Sequence, residues 1–363
     1  MSLHQQKSLR DALLSSVLYT LRSFSGAAAK RLPFEQALHL LRTALASLRR
    51  LAALTGLPLM VVLGETEAAQ AEPPTRLEPT VAMDFDGDGD LDLIDADSSG
   101  KVYGLRNQGL RFEKEELHST DFSADAVAAV DVDGDGDKDV VVLDKQAGGL
   151  SWLENKGSEN FVPHNIANLQ GSVNEAFVAD VTQDGRPDIV YATPGTVAWL
   201  KNDGSENFIP KTPLETDLTN ISALEVEDAD GDGDNDILYS DLSLAGMGQI
   251  QNNGSENFVP QVVGSQVTAV DALEVVDLDN DGNRDLVYAS QSLSSVGWIP
   301  NAGEGQFLPP ETLSGGHLGA DHLKVADLDQ DGDYDLVVAS STSNASAWLK
   351  NDGSESFTPH ALG

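Results

Sequence analysis

Residues 322–361 read HLKVADLDQDGDYDLVVASSTSNASAWLKNDGSESFTPHA, and this stretch contains every feature that decides the fold. An apolar segment leads into a run of acidic residues that begins at Asp327, and the apolar DLVVAS follows at once. SAWLK, an Asn-Asp-Gly turn and SFTPHA complete the stretch. Turns of this type between apolar runs are the strongest short-range signal for β-hairpins, so the stretch predicts four short antiparallel strands.

The same unit occurs six times along the chain. The acidic runs begin 47 to 50 residues apart, at Asp84, Asp131, Asp180, Asp228, Asp277 and Asp327. An Asn-x-Gly turn followed by Phe repeats in step with them, from Asn107, Asn155, Asn202, Asn252, Asn301 and Asn351. Four strands per unit without a helical period favour a propeller blade. We therefore predict an all-β, six-bladed β-propeller rather than a seven-bladed one, because residues 76–363 leave no room for a seventh unit.

The repeat also sets the expected blade boundaries. The blades are predicted at approximately 76–120, 121–170, 171–216, 217–266, 267–315 and 316–363. A single blade cannot bury both of its faces, so the first strand, RLEPTVAMDF, and the last, SFTPHAL, are expected to meet and close a ring. A tryptophan precedes the Asn by three residues in four units, at Trp152, Trp199, Trp298 and Trp348. We interpret these as packing between blades; the alternative is an exposed rim of sugar-stacking rings.

Composition restricts the function classes. The net charge is −37 and there is no cysteine, which excludes disulfide scaffolds, thiolate zinc sites and cysteine nucleophiles. The acidity disfavours binding to nucleic-acid phosphates, because the long-range field repels them. The charge is uneven: residues 1–71 carry +4 and the remaining residues carry −41.

Residues 1–71 are interpreted as an N-terminal leader. Arg49-Arg50 precede an apolar segment at 51–64, and Ala69-Gln70-Ala71 follows it. This pattern predicts a secretory signal cleaved after Ala71, and therefore a secreted or cell-surface protein. The apolar segment is too short for a comfortable membrane span, so no integral membrane span is expected. Helical periodicity in residues 1–48 keeps an alternative open, in which the leader is a retained helical hairpin.

The acidic loops follow the pattern D-x-D-x-D-G-x-x-D, and their odd-numbered positions carry the candidate ligands of a cation. Position 1 is occupied by Asp84, Asp131, Asp180, Asp228, Asp277 and Asp327. Position 3 is occupied by Asp86, Asp133, Thr182, Asp230, Asp279 and Asp329. Position 5 is occupied by Asp88, Asp135, Asp184, Asp232, Asp281 and Asp331. Position 7 is occupied by Asp90, Asp137, Arg186, Asp234, Asn283 and Asp333, and position 9 by Asp92, Asp139, Asp188, Asp236, Asp285 and Asp335.

This spacing suits a hard cation. Carboxylates at positions 1, 3 and 5 can curl around one point, because the glycine at position 6 allows a sharp turn. The main-chain carbonyl of position 7 can add an oxygen, and the Asp at position 9 returns to the site as the next strand begins. Without a cation these carboxylates would repel one another. Oxygen ligands in a flexible loop favour Ca²⁺ over Mg²⁺, so up to six bound Ca²⁺ ions are predicted.

The third loop is expected to bind most weakly, because Thr182 replaces a carboxylate and Arg186 occupies position 7. An EF-hand is excluded, since that motif requires a glutamate at position 12. Position 12 is occupied by Asp95, Val142, Tyr191, Tyr239, Tyr288 and Val338.

The loops, the period and the blocks SWLENKGSENF at 151–161 and AWLKNDGSENF at 198–208 resemble FG-GAP/VCBS repeats, the calcium-binding blades of integrin-α-like β-propellers. The resemblance covers about residues 76–363. It implies calcium sites in the loops on one side of the ring, with positions 1, 3, 5 and 9 and the position-7 carbonyl as ligands. Rings of this family usually have seven blades and longer repeats, whereas this chain has six units.

We predict a calcium-stabilised binding or adhesion module with a protein or glycan ligand. One alternative is a structural subunit that self-associates into an extracellular filament or array. A second alternative is a lectin or carbohydrate-active enzyme on a propeller scaffold. An enzyme is not expected, because the chain has no nucleophile elbow, phosphate loop or metal-spaced histidine set.

Overall fold

The computed structural model describes residues 73–362, apart from residues 110, 158–159, 170, 206, 242–246, 266, 316–318 and 355. The predicted leader, with its apolar segment and its cleavage position, lies outside the described residues. Residues 71–363 form one compact unit. No helix in the described part of the chain is long and apolar enough to span a membrane.

All elements of the described residues are strands, and they build six antiparallel sheets, five of four strands and one of five. A short strand, β1 (Thr75–Arg76), precedes the blades. Blade 1 contains β2 (Thr80–Met83), β3 (Asp92–Ala96), β4 (Lys101–Asn107) and β5 (Phe112–Ser119). Blade 2 contains β6 (Ala126–Val130), β7 (Asp139–Leu143), β8 (Gly149–Asn155) and β9 (Phe161–Asn168). Blade 3 contains β10 (Glu175–Ala179), β11 (Asp188–Thr193), β12 (Thr196–Asn202) and β13 (Phe208–Pro210).

The second half of the unit repeats this arrangement. Blade 4 contains β14 (Ile221–Glu227), β15 (Asp236–Asp241), β16 (Met247–Asn252) and β17 (Phe258–Val263). Blade 5 contains β18 (Ala272–Val276), β19 (Asp285–Ser290), β20 (Ser295–Ile299) and β21 (Glu311–Gly315). Blade 6 contains β22 (His322–Ala326), β23 (Asp335–Ser340), β24 (Ala345–Asn351) and β25 (Phe357–Ala361). The prediction of an all-β, six-bladed propeller is confirmed.

The second strand of each blade explains why the blades must stack. These strands are short and rich in β-branched residues, as in DVVVL (β7) and DLVYAS (β19), and both of these strands are buried along their whole length. Strands with two apolar faces are stable only between two neighbours. Five apolar clusters accordingly join blades 1 and 2, 2 and 3, 3 and 4, 4 and 5, and 5 and 6.

The tryptophans belong to these interfaces. Trp152, Trp199 and Trp298 are buried in the clusters between blades 2 and 3, 3 and 4, and 5 and 6. Trp348, in the last blade, is half-buried and stacks against His360, with ring centroids 5.0 Å apart. The described residues contain no comparable cluster between blades 6 and 1. The first three tryptophans therefore pack between blades as predicted, whereas Trp348 does not belong to such a cluster of described residues.

The first and last strands do not pair with each other among the described residues, and their expected meeting to close the ring stays a prediction. In the part of the chain that the structure describes, β25 pairs with β24 alone and β2 with β3 alone. Each blade takes all four strands from one continuous stretch, so no strand is exchanged between the ends.

The predicted first strand is in fact divided. Its start, β1, pairs antiparallel with β10 of blade 3, and Arg76 stands opposite Phe177. Leu77 is buried between blades 2 and 3. Arg76 also forms an ion pair with Glu225 on the first strand of blade 4. The segment before blade 1 therefore contacts the first strands of blades 3 and 4.

Candidate metal centres

Each acidic loop joins the first strand of a blade to the second. The glycine at position 6 has a positive φ in all six loops, from 81° at Gly185 to 99° at Gly332. Residues with a Cβ rarely adopt this conformation, which explains why glycine stands there. The turn folds the loop back, so that side chains before and after the glycine can approach one another.

Carboxylates at positions 1 and 3 hold the loop backbone in this shape. In the second loop, Asp131 Oδ1 accepts a hydrogen bond from Gly134 N at 2.7 Å, and Oδ2 accepts one from Gly136 N at 3.0 Å. Asp133 Oδ1 accepts from Asp135 N at 3.1 Å. Bonds from backbone N–H groups leave further lone pairs on the same oxygens available to a cation.

Position 9 has a structural role that sequence reasoning missed. Its Asp side chain is fully buried in all six loops. In the second loop, Asp139 Oδ2 accepts from Val132 N and Oδ1 accepts from Asn155 N, both at 2.8 Å. One carboxylate thus connects the start of the loop to the Asn-x-Gly turn. The spacing of 14 to 16 residues between this Asp and the Asn, kept in all six units, was the available signal.

Burial raises the pKa of several of these position-9 carboxyls. It raises the pKa of Asp139, Asp188 and Asp236 to about 7 and that of Asp285 to about 6, although backbone N–H donors oppose the shift. Neighbouring loop carboxylates add to the increase. Negative charge at these positions is costly unless a cation offsets it.

Five loops bring three carboxylates together. One oxygen from each residue lies within 4.8 Å of the other two in the groups Asp84/Asp86/Asp92, Asp131/Asp133/Asp139, Asp228/Asp230/Asp232, Asp277/Asp279/Asp285 and Asp327/Asp329/Asp335. Positions 1, 3 and 9 form four of these groups, and positions 1, 3 and 5 form the one in the fourth loop. The position-5 side chains of the other loops and all position-7 side chains fall outside the groups.

In the third to sixth blades the position-7 side chain lies against the Asn-x-Gly turn instead. A Cβ added to Gly353 would stand 2.5 Å from Asp333 Oδ2, and one added to Gly204 would stand 2.5 Å from the Arg186 guanidinium carbon. In these blades the close approach restricts the turn position to glycine, and the main-chain carbonyl of position 7 is what it has left to offer to a cation.

The third loop does not form such a group among the described residues. Thr182 interrupts the series of carboxylates, and Lys201 Nζ lies 3.4 Å from Asp184 Oδ2. Arg186 NH1 is 3.7 Å from the same oxygen. Two cationic side chains therefore already lie beside Asp184.

In blades 1, 3 and 6 the residue before the Asn places a positive charge beside its own loop. In blade 1, Arg106 Nε lies 2.9 Å from Asp86 Oδ2. In blade 6, Lys350 contacts Asp329 and lies 3.2 Å from Asp331 Oδ2. Gln251 donates to Asp230 in blade 4. Blades 2 and 5 have Glu154 and Pro300 at this position, so no cation of this kind reaches their loops.

The donor set fits a hard cation. Each group consists of carboxylate oxygens alone, which is the chemistry that Ca²⁺ and Mg²⁺ prefer. In the fifth loop, Asp277 Oδ1 is buried and has no hydrogen-bond partner among the described residues. A buried, unpaired carboxylate oxygen is costly, and a bound cation at this position would remove that cost.

The Asn of the Asn-x-Gly turn links neighbouring blades by a side-chain hydrogen bond. In four blades its Nδ2 donates to the carbonyl of loop position 2 in the preceding blade. Examples are Asn202 to Val132 O at 2.9 Å and Asn301 to Ala229 O at 2.7 Å. The N–H of the same position 2 donates to the position-9 Asp in the second loop, as it does in the fourth, where Ala229 N donates to Asp236. The residue at loop position 2 therefore takes part both in the acidic loop and in the contact between blades. The sequence of a single repeat does not reveal this connection.

Fold and site together define a β-propeller whose blades carry acidic loops able to hold metal ions. A model of the FG-GAP-like repeat matches residues 84–142, 131–191, 180–239 and 277–338, which together exceed half of the chain. The chain belongs to the FG-GAP repeat family. No curated protein matches it.

Solved structures with the same fold include proteins of diverse kinds. A lectin from Agrocybe aegerita that recognises non-reducing terminal N-acetylglucosamine has 23% identity and a TM-score of 0.60, over 78% of this chain and 80% of the lectin. A functionally unknown protein from Desulfotomaculum acetoxidans has 13% identity and a TM-score of 0.52, over 79% and 85%. BBS1N, solved in complex with ARL6DN, has 13% identity and a TM-score of 0.52, over 78% and 81%. At these identities the likeness concerns the fold alone.

Proposed function

We propose that this chain is a secreted or cell-surface binding module, a β-propeller stabilised by Ca²⁺ that recognises saccharides. The observation that carries the proposal is the set of five three-carboxylate groups in loops that contact the next blade. Bound Ca²⁺ would neutralise these carboxylates and fix the loop on which the inter-blade hydrogen bond depends. The role proposed for the metal is therefore structural.

The proposed calcium sites suit an extracellular setting. Extracellular modules bind Ca²⁺ with dissociation constants of about 0.1–1 mM, and such loosely built loop sites suit that range. Secreted proteins are commonly reinforced by disulfides, and this chain has none. Several bound calcium ions distributed around the ring would stabilise the fold as disulfides do in other secreted proteins.

The saccharide part of the proposal draws on the lectin neighbour and on the absence of enzyme motifs from the sequence. The expected activity is binding without turnover. Immobilised glycans, including ones ending in N-acetylglucosamine, should retain the protein in millimolar Ca²⁺.

Thermal unfolding tests the calcium part. Replacing 1 mM Ca²⁺ by excess EDTA should lower the melting temperature by about 10 °C or more, because several sites add their linkage free energies. Mg²⁺ at the same concentration serves as the control and should restore little of the loss. An unchanged melting temperature in EDTA would contradict the calcium assignment, and failure to bind any glycan would contradict the saccharide assignment.

A further inference from the structure

A cleft of about 410 Å³ lies between blades 1 and 2, away from the acidic loops. His118 and Phe122 line it from the blade 1 side, and Ser151 and Asn165 line it from blade 2. Clefts that bind small ligands have volumes of about 300–1,000 Å³ and a few convergent polar groups. The size of this cleft suits a ligand of one or two sugar rings.

At this cleft, blade 2 has small residues where blades 3, 4 and 5 have a tyrosine. Val142 stands opposite Ser151 in blade 2. The corresponding pairs are Tyr239 opposite Gly248 in blade 4 and Tyr288 opposite Gly297 in blade 5. There the tyrosine ring covers the glycine so closely that an added Cβ would stand 2.4 Å from the hydroxyl oxygen. Without a tyrosine, blade 2 leaves this space open.

Several polar side chains line the cleft without a hydrogen-bond partner among the described residues, and His118, Ser151 and Asn165 are three of them. Opposite residues of an antiparallel pair share a face, and Ser151 is opposite Asn165 on the face that blade 2 turns to blade 1. His118 is opposite Val102, which packs in the cluster between these blades. None of the three side chains has a hydrogen-bond partner in the part of the chain that the structure describes.

Ser151 is the most informative of the three. Its side chain is buried, with 7% of the residue exposed, and its Oγ makes no hydrogen bond among the described residues. An unpaired buried hydroxyl is unfavourable, so the position suits a group that receives a hydrogen bond from a ligand or donates one to it. The corresponding residues of blades 3 to 6 are alanine or glycine: Ala198, Gly248, Gly297 and Ala347.

From this geometry we infer that the cleft between blades 1 and 2 is the saccharide subsite of the protein, an inference that rests on the proposed function. Hydroxyl and amide groups donate and accept hydrogen bonds, as sugar hydroxyls do, and an imidazole ring offers two nitrogens for such bonds. No lysine or arginine lines the cleft, which disfavours an anionic ligand. The Phe122 ring, packed on Gly149, adds an apolar wall for the C–H face of a sugar ring.

Two variants test the inference with N-acetylglucosamine, galactose and mannose as probes. Ser151→Ala should weaken binding of the preferred sugar at least fivefold in calorimetric titration. The double variant Val142→Tyr/Ser151→Gly copies the pairs of blades 4 and 5, and it should abolish binding by filling the cleft. Both variants should melt within a few degrees of the wild type in Ca²⁺.

A matched control separates this cleft from others. Thr212→Ala lies in a second inter-blade cleft, next to Trp199, and should leave sugar binding unchanged. Wild-type affinity in Ser151→Ala and in the filled variant would overturn the assignment of the cleft while the saccharide function stands. Loss of binding in Thr212→Ala alone would move the site to the other cleft. A wild type that binds none of these sugars, nor any immobilised glycan, would overturn both the subsite and the saccharide function.

Discussion

The loops of blades 2 and 3 share their anchoring but differ in their charge. Asp139 and Asp188 are both fully buried, and burial raises the pKa of both to about 7. Each accepts a hydrogen bond from the Asn of its own turn, at 2.8 Å and 2.9 Å. Yet three carboxylates come together in blade 2, and blade 3 has no such group among its described residues.

The acidic motif therefore has two separable functions, which are to stabilise the blade and to bind a cation. The position-9 Asp and the Asn maintain the blade whether or not a cation is bound. Two positions distinguish these loops: position 3, which is Asp133 or Thr182, and the residue before the Asn, which is Glu154 in blade 2 and Lys201 in blade 3. The third repeat therefore keeps the structural part of the motif while its cation site is weakened.

The largest expected effect is on pH dependence without calcium. The folded-state pKa values of Asp139, Asp188 and Asp236 lie above the ordinary value of 3.8, so the folded chain binds more protons than the unfolded chain between about pH 4 and 7. The stability from this source is complete below about pH 4 and is lost as the pH rises through 7. In EDTA the melting temperature should therefore fall between pH 5 and pH 8.

Calcium should remove most of this slope, because it favours the ionised form of its ligands. In saturating Ca²⁺, Asp188→Asn should flatten the remaining slope, since the third loop is expected to stay largely unloaded. Asp139→Asn provides the comparison in a loaded loop. A melting temperature in EDTA that rises from pH 5 to pH 8 would contradict this account of the buried carboxyls.

Removal of a position-9 carboxylate should destabilise either blade. Asp139→Ala leaves Val132 N and Asn155 N without an acceptor and should cost about 3 kcal/mol in the free energy of unfolding. Asp188→Ala should cost about 2 kcal/mol, and both losses should persist in EDTA. Denaturant unfolding measures them, with the exposed Asp137→Ala as a control that changes little. If Asp188→Ala were neutral, the anchoring role would be wrong.

Rebuilding the third loop tests whether Thr182 and Lys201 explain its weak cation site. Thr182→Asp with Lys201→Gln restores a carboxylate and removes the lysine beside Asp184. The variant should bind one additional Ca²⁺ and gain about 1–2 kcal/mol of stability in saturating Ca²⁺ but not in EDTA. Lys201→Gln alone is the control, and a calcium titration that shows no additional ion in the double variant would refute the explanation.

The smallest effect concerns the lysine of blade 6. Lys350→Gln should strengthen Ca²⁺ binding at the sixth loop roughly threefold, since exposed ion pairs contribute about 0.2–1 kcal/mol. Lys101→Gln, which removes an ion pair with Glu116 away from any acidic loop, should leave Ca²⁺ affinity unchanged. Weaker binding by Lys350→Gln would show that the lysine does not compete with the ion.

The sequence was informative wherever a feature repeats. Six acidic runs and six Asn-x-Gly turns predicted six four-stranded blades, and the alternation of Asp84, Asp86 and Asp88 predicted where carboxylates would gather. These features depend on local spacing, which a one-dimensional pattern records directly, although the third carboxylate of the first group is Asp92 and not Asp88.

The remaining features depend on contacts between distant residues. The pairing of Arg76 with a strand 100 residues later occurs once and has no period to reveal it. The hydrogen bond from Asn202 to Val132 O joins two blades. The repetition of the Asn in the sequence indicated that this residue is required, but it did not indicate the contact that requires it. The cleft at Ser151 follows from side-chain volumes on two facing blades, which become visible only when the blades are packed.

The number of Ca²⁺ ions bound per chain tests the central claim most directly. Equilibrium dialysis in millimolar Ca²⁺, followed by metal analysis, should give five ions for the wild type, four for Asp133→Asn and five for Asp184→Asn. Binding of no ions, or loss of an ion in Asp184→Asn but not in Asp133→Asn, would contradict the assignment of cation sites to five loops and not to the third.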